Sequence, residues 1–259
     1  MIIDTHLGMR YPATDERVNE ILEQMDSAGI DKAVTWSLPA GVNREEIKKN
    51  NDRISSIVER HPDRLIGFAN VNPLDPDFAV DELGRAIEQL GLRGLKLHPK
   101  VHKYRICDPR TLRVIGRARE LDIPVVIHVE SPALYTFRVF NSLERTQQAI
   151  DQQEFFAKSL DLEAVINVYD SPNFWAAHMG GAFSPNVQKS KLVFQTTGAS
   201  SDLIEYAVEK VGADRVLFGS DYPSFQIKNE LSKLNNSNIS ETDKRKILGG
   251  NAARILKIK

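Results

Sequence analysis

RVLFGSD (residues 215–221) passes from a charged residue through a short apolar, β-favouring run and ends on the carboxylate of Asp221. That is the pattern of a strand covered on both faces, which delivers one polar side chain at its C-terminal edge. Three other segments end alike: MIIDTH (1–6) at His6, IPVVIH (123–128) at His128 and NFWAAH (173–178) at His178. One histidine closing an apolar run is more often structural than functional. Four metal-competent residues at the same kind of edge point to a metal site at the mouth of a barrel.

Around these segments, short β-branched or aromatic runs alternate with longer stretches of helical period, as in a parallel sheet with crossover helices. Strands are expected at about 1–6, 31–37, 65–71, 92–98, 124–130, 173–179, 192–198 and 216–221. Helices are expected at 15–28, 43–60, 77–90, 109–121 and 200–211. In the first of them Val18, Ile21, Leu22 and Met25 share a face, and Gly29 supplies the C-terminal cap. ETDKRKILGG is expected to close a helix on its glycines, with Asn251 capping a final helix NAARILK. Eight such units in 259 residues suit a single (β/α)8 TIM barrel, which typically needs about 250. The whole chain, 1–259, reads as one domain. Its one irregularity is a long connection after the fifth strand, at about 131–172, carrying Tyr135, Phe137, Arg138, Phe140 and Arg145. A connection of this length either shapes a substrate pocket or adds a packing helix.

Composition narrows the partner. With 34 basic and 35 acidic residues the formal charge is −1, so no overall field draws nucleic acid or an anionic membrane, and a small molecule is the expected ligand. Cys107 is the only cysteine, which excludes an intrachain disulfide. No apolar run approaches the roughly 20 residues that span a bilayer. The chain starts on an apolar strand rather than a signal segment, so a cytoplasmic protein is expected, and a homo-oligomer is compatible with this architecture.

The functional face of such a barrel is the C-terminal rim of its strands. There the sequence places His6, Lys96, His98, His128, His178 and Asp221, and also Asn70, Thr196 and Thr197. A catalytic zinc takes three protein ligands and leaves one position for water, a count that His6, His128 and Asp221 satisfy, with His178 as a fourth ligand or a nearby acid. The ion lowers the pKa of its water to roughly 7 and polarises a carbonyl, while Asp221 accepts the water's proton. A metal-free barrel using the same histidines for acid–base work is the competing reading. Lys96 interrupts an apolar strand, where an ammonium is costly unless it has a task. Trp36 and Trp175 read as packing residues, and Glu130 as an orienter of His128 or a substrate contact.

The segments IIDTHLG, GLKLHP, VVIHVES, AAHMGG, RVLFGSDYP and ILGGNAARIL resemble, in order and spacing, the amidohydrolase-related family of metal-dependent TIM-barrel hydrolases and decarboxylases. The resemblance implies that His128 is the fifth strand's metal ligand, and that Asp221 is the eighth strand's carboxylate, acting as ligand or base. It makes His178 the histidine that acts on substrate or water in mononuclear members and binds metal in binuclear ones. Lys96 falls where relatives carry either a carbamylated bridging lysine or an anchor for an anionic group. The chain departs from the family at its first strand, usually Asp-x-His-x-His, since Gly8 stands where the second histidine is expected. Asp4 with His6, or His98 swinging in, are the available replacements.

The resulting expectation is a hydrolase with one divalent ion, zinc first, cleaving an amide, lactone or similar carbonyl bond of a small metabolite. Lys96, His98, Arg138 and Arg145 would hold that metabolite's carboxylate. Nonhydrolytic decarboxylation or hydration is the alternative on the same fold. A degenerate, metal-free barrel that binds a ligand or a protein is the alternative of another class.

Overall fold

The computed structural model describes residues 1–10, 12–38, 41–129, 159–169, 173–180 and 191–258. Its strands are β1 (Ile3–Arg10), β2 (Lys32–Leu38), β3 (Leu65–Gly67), β4 (Ala69–Asn70), β5 (Leu95–Leu97), β6 (Val125–Ile127), β7 (Phe174–Ala176), β8 (Val193–Gln195) and β9 (Val216–Leu217). All neighbouring pairs are parallel. β3 and β4 are two halves of one run, which changes partners at Phe68. The Phe68 N–H donates to Thr35 O, and the next one, from Ala69, donates to Gly94 O, both at 2.8 Å. The circuit closes between the last strand and the first. Thr5 N donates to Phe218 O at 2.9 Å, Asp221 N to His6 O at 2.7 Å and Gly8 N to Tyr222 O at 3.0 Å. Eight parallel staves with helices outside make a (β/α)8 barrel, as the alternation of runs predicts.

Side chains divide into two cores, as period 2 along each stave requires. Ile3, Val34, Trp36, Ile66, Phe68, Val126, Trp175, Val193 and Leu217 fill the barrel, and Ala252 and Leu256 close its N-terminal end. Leu7, Leu95, Leu97, Ile127 and Phe194 point outward to a second layer with Val18, Ile21, Met25, Leu83 and Val114 from the helices. Lys96 lies between two outward leucines, so it projects inside. Each fully buried large apolar side chain contributes about 1.5–3 kcal/mol, and this double layer leaves polar chemistry to one open rim.

The helices start and stop close to where the sequence places them. Thr14 accepts from Arg17 N at the head of Asp15–Ala28, and Gly29 (φ 71°) ends it in the left-handed conformation that glycine adopts without strain. Asn43 and Ser200 cap Arg44–Arg60 and Ser201–Val211. The C-terminus differs from expectation. Lys246–Gly250 is a π-helical turn running straight into the helix Asn251–Ile255. The Asn251 side chain does not cap it but donates to Ala213 O and Val216 O at 2.7 and 2.9 Å, tying the helix to the foot of β9. Most strands are also shorter than expected, because their rim ends turn away to form the site. Of the 131–172 connection, the helix Ser159–Val168 is described, whereas Glu130, Tyr135, Phe137, Arg138, Phe140 and Arg145 lie outside the described residues. No described helix is long and apolar enough to cross a membrane.

Candidate active site

At the C-terminal rim, His6, Lys96, His128, His178 and Asp221 come together, as their strand-end positions predict. The His6 imidazole sits 5.6 Å from that of His178, which in turn is edge-on to His128 at 4.9 Å. His98 stacks on His128 at 3.9 Å and so extends the cluster. Asp221 Oδ1 lies 3.7 Å from His6 Nε2. Two of these residues hold left-handed backbone, His178 (φ 52°) and Asp221 (φ 57°). Such conformations cost about 1–3 kcal/mol and persist where surrounding bonds over-determine them. Here the Asp221 N–H donates to His6 O, and the His178 N–H to Thr197 Oγ1 at 2.8 Å.

The tautomers of two histidines follow from their partners. His6 Nδ1 faces Gln195 Oε1 at 2.8 Å, and His178 Nδ1 faces the Thr197 carbonyl at 3.2 Å. A carbonyl oxygen can only accept, so each neutral ring carries its proton on Nδ1 and keeps its lone pair on Nε2. Burial holds the His6 imidazole well below its usual pKa, helped by the nearby Lys96 and His178, so it is the neutral form that presents this lone pair. Lys96 Nζ lies 3.5 Å from His6 Nε2 and 4.6 Å from the Trp36 ring centre. Burial pushes its ammonium down to about 7, against the attraction of Asp221. Trp36 meets His6 edge-on at 4.7 Å, so it is the wall beneath the two polar groups as well as a packing residue.

Asp4, offered by the sequence as a replacement partner beside His6, has its carboxylate engaged by the last stave. Its carboxylate accepts the Ser220 N–H at 3.0 Å, the Ser220 hydroxyl at 2.5 Å and the His6 N–H at 3.0 Å, which seals the seam between β1 and the last stave. Burial still raises its pKa to about 6 in spite of these bonds. A Cβ added at Gly8 would run into the end of the half-buried Leu38 side chain of β2, so a histidine at this position must displace that leucine to join the cluster.

Gln195, which nothing in the sequence singles out, joins the cluster through contacts with residues 189 and 190 positions away. The donor chemistry fits a divalent ion, with fixed imidazole lone pairs beside a carboxylate. Among the described residues, no three His, Cys, Asp or Glu side chains draw within one coordination sphere.

A family model described as amidohydrolase matches residues 4–258. Over 251 residues the chain is 25% identical to the gamma-resorcylate decarboxylase of Polaromonas sp. (strain JS666 / ATCC BAA-500), covering 83% of this chain and 77% of that relative. Its fold is similar to that of the 5-carboxyvanillate decarboxylase of Sphingomonas paucimobilis, with a TM-score of 0.79 and 20% identity across 100% of this chain and 99% of that one. It is also similar to a dihydroxybenzoic acid decarboxylase of Polaromonas sp. JS666 crystallised with manganese and the inhibitor 2-nitroresorcinol. There the TM-score is 0.76 and the identity 19%, over 99% and 97% of the two chains.

Proposed function

Since the chain belongs to the amidohydrolase family, we propose that it is a divalent-metal-dependent decarboxylase that removes carbon dioxide from a small aromatic carboxylate without hydrolysis. The observation that carries this reading is the buried Lys96 amino group, set on the Trp36 face beside His6 and Asp221, with its pKa pushed down to about 7 so that an arriving anion favours its protonated form. A buried cation at the mouth of an otherwise apolar barrel fits a planar anion that becomes its partner. The relatives named above act on aromatic carboxylates, and this favours decarboxylation over the hydrolysis that the strand-end histidines first suggest. Manganese in one of those relatives likewise puts it ahead of zinc as the first ion to test.

His6, His128, His178 and Asp221 would hold the ion, and Lys96 and His98 would flank the substrate. When bound, such an ion supplies Lewis acidity that polarises an oxygen of the substrate and draws electron density from the ring. Loss of carbon dioxide leaves the bonding electron pair on the ring carbon, so that carbon must gain one proton for each carbon dioxide released. In this reading Asp221 takes up a proton from solvent and passes it to that carbon, returning to the carboxylate, while Lys96 holds the anion in place. The apolar wall around Trp36 keeps water from competing.

Incubating the Mn²⁺-loaded protein with a panel of hydroxylated benzoates, and with amides, lactones and esters in parallel, tests this reading. Carbon dioxide release that chelation abolishes is the expected result. Turnover confined to the hydrolysable panel would overturn it, and binding without turnover in the absence of metal would favour the degenerate barrel.

A further inference from the structure

Resting on the metal reading above only for its affinity readout, we infer that Gln195 is a positioning residue: it fixes His6 with the proton on Nδ1, so that the Nε2 lone pair is reserved for a cation. The groups behind His6 form a chain of obligate donors and acceptors. The main-chain oxygens of Phe218 and Thr5 can only accept. Thr5 Oγ1 lies 2.6 Å from Phe218 O, so its hydroxyl donates there. The remaining lone pair of that hydroxyl accepts from Gln195 Nε2 at 3.0 Å, and the same nitrogen donates to Thr5 O at 2.8 Å.

The amide is therefore oriented by backbone carbonyls, since exchanging its oxygen and nitrogen would set Oε1 against Thr5 O. Its Oε1 is left facing His6 Nδ1 at 2.8 Å, and that nitrogen must donate. Thr5 and Gln195 are fully buried and His6 nearly so, which leaves no water to rescue the other tautomer. Nε2 is then the ring atom next to Asp221 Oδ1 and Lys96 Nζ.

Long-range ¹H–¹⁵N correlation spectra of the metal-free protein read the tautomer directly, and Mn²⁺ titration reads its consequence. Wild type is expected to show a protonated Nδ1 and a bare Nε2 at His6. Gln195→Met, which keeps the shape but removes the acceptor, is expected to shift His6 toward the Nε2-protonated form and to weaken Mn²⁺ binding about 10- to 100-fold, the usual effect of losing such a partner. Gln195→Glu retains the acceptor toward His6 while its second oxygen, set against Thr5 O, is expected to carry a proton there, so this variant is expected to retain the Nδ1–H form. A proton on Nε2 in the wild type, or an unchanged tautomer and Mn²⁺ affinity in Gln195→Met, would overturn the inference. If Gln195→Met does not fold, the wild-type and Gln195→Glu spectra still decide. A wild type that has the Nδ1–H tautomer and binds no Mn²⁺ would refute the metal reading alone.

Discussion

Lys96 Nζ lies 3.5 Å from Nε2 of His6, with the indole of Trp36 supporting both groups. This pairing gives the buried ammonium a neutral acceptor until an anion arrives. Replacing Lys96 with Met keeps the length of the side chain and removes its charge. The expected loss in kcat/KM is about 100-fold, in line with removing one member of a buried charge pair. Mn²⁺ affinity should hold or improve, because no ammonium competes for Nε2. Kinetics and metal titration on one preparation check this, and loss of metal in Lys96→Met would assign the lysine to the metal instead.

Gly8 separates the family pattern from the geometry of this chain. If the missing histidine were simply a lost ligand, Gly8→His would restore it and tighten metal binding. The collision of a Cβ with Leu38 predicts the opposite. Both Gly8→His and Gly8→Ala should lose about 1–3 kcal/mol in denaturant unfolding, as overpacked sites do, with no added metal equivalent. Leu38→Ala should recover part of the loss in Gly8→Ala. A second equivalent of metal in Gly8→His would show that the strand accommodates the ring.

A buried network behind the site should set stability without touching the metal. The Glu82 carboxylate accepts from Arg85 at 2.7 and 2.8 Å and from Asn51 at 2.8 Å. Asn51 braces the main chain of Asn70, whose amide in turn donates to Lys96 O at 3.1 Å. Glu82→Ala leaves the Asn51 amide and one edge of the Arg85 guanidinium without that acceptor, while Arg85 keeps Asp52, and the expected cost is about 1–3 kcal/mol. Chemical denaturation measures it. A loss below that range, or a metal affinity that falls in step with stability, would contradict this division of labour.

Acid sensitivity should also appear at an exposed ion cluster at the head of the first helix. Hydrogen bonds from Arg60 and then Arg53 hold the Asp15 carboxyl at about 2, below its ordinary value of 3.8. A depressed pKa in the folded state means that this group supports the fold above pH 3.8 and loses that support as pH falls toward 2. The stability difference between wild type and Asp15→Asn should therefore be present at neutral pH and shrink across that window. Unfolding curves at a series of pH values test this, and a difference that does not change with pH would rule out the two arginines as its source.

The sequence carried the barrel because its staves are short apolar runs and its helices bear caps such as Thr14, Asn43 and Gly29, all local signals. It also carried the clustering of His6, His128, His178 and Asp221, because each sits where an apolar run ends. What it did not carry depends on distant neighbours. Gln195 looks like a polar interruption at a strand end, and its role exists only once β8 lies near β1. Trp36 reads as packing until Lys96 and His6 lie on it. Asn251 resembles a cap, yet its partners Ala213 and Val216 come from another unit of the fold. Hydrolysis was the first expectation for a similar reason: histidines and an aspartate at strand ends state that a metal can bind, and not which bond is broken.

In the proposed reaction carbon dioxide leaves and a proton, carried by Asp221, takes its place. Turnover of carboxyl-¹³C-labelled 2,6-dihydroxybenzoate by the Mn²⁺-loaded protein in D₂O, followed by NMR and mass spectrometry beside Asp221→Asn, tests it most directly. The account predicts ¹³CO₂ and a ring product with one deuterium at the vacated carbon, both lost in Asp221→Asn. No ¹³CO₂ from wild type, or undiminished release by Asp221→Asn, would contradict it.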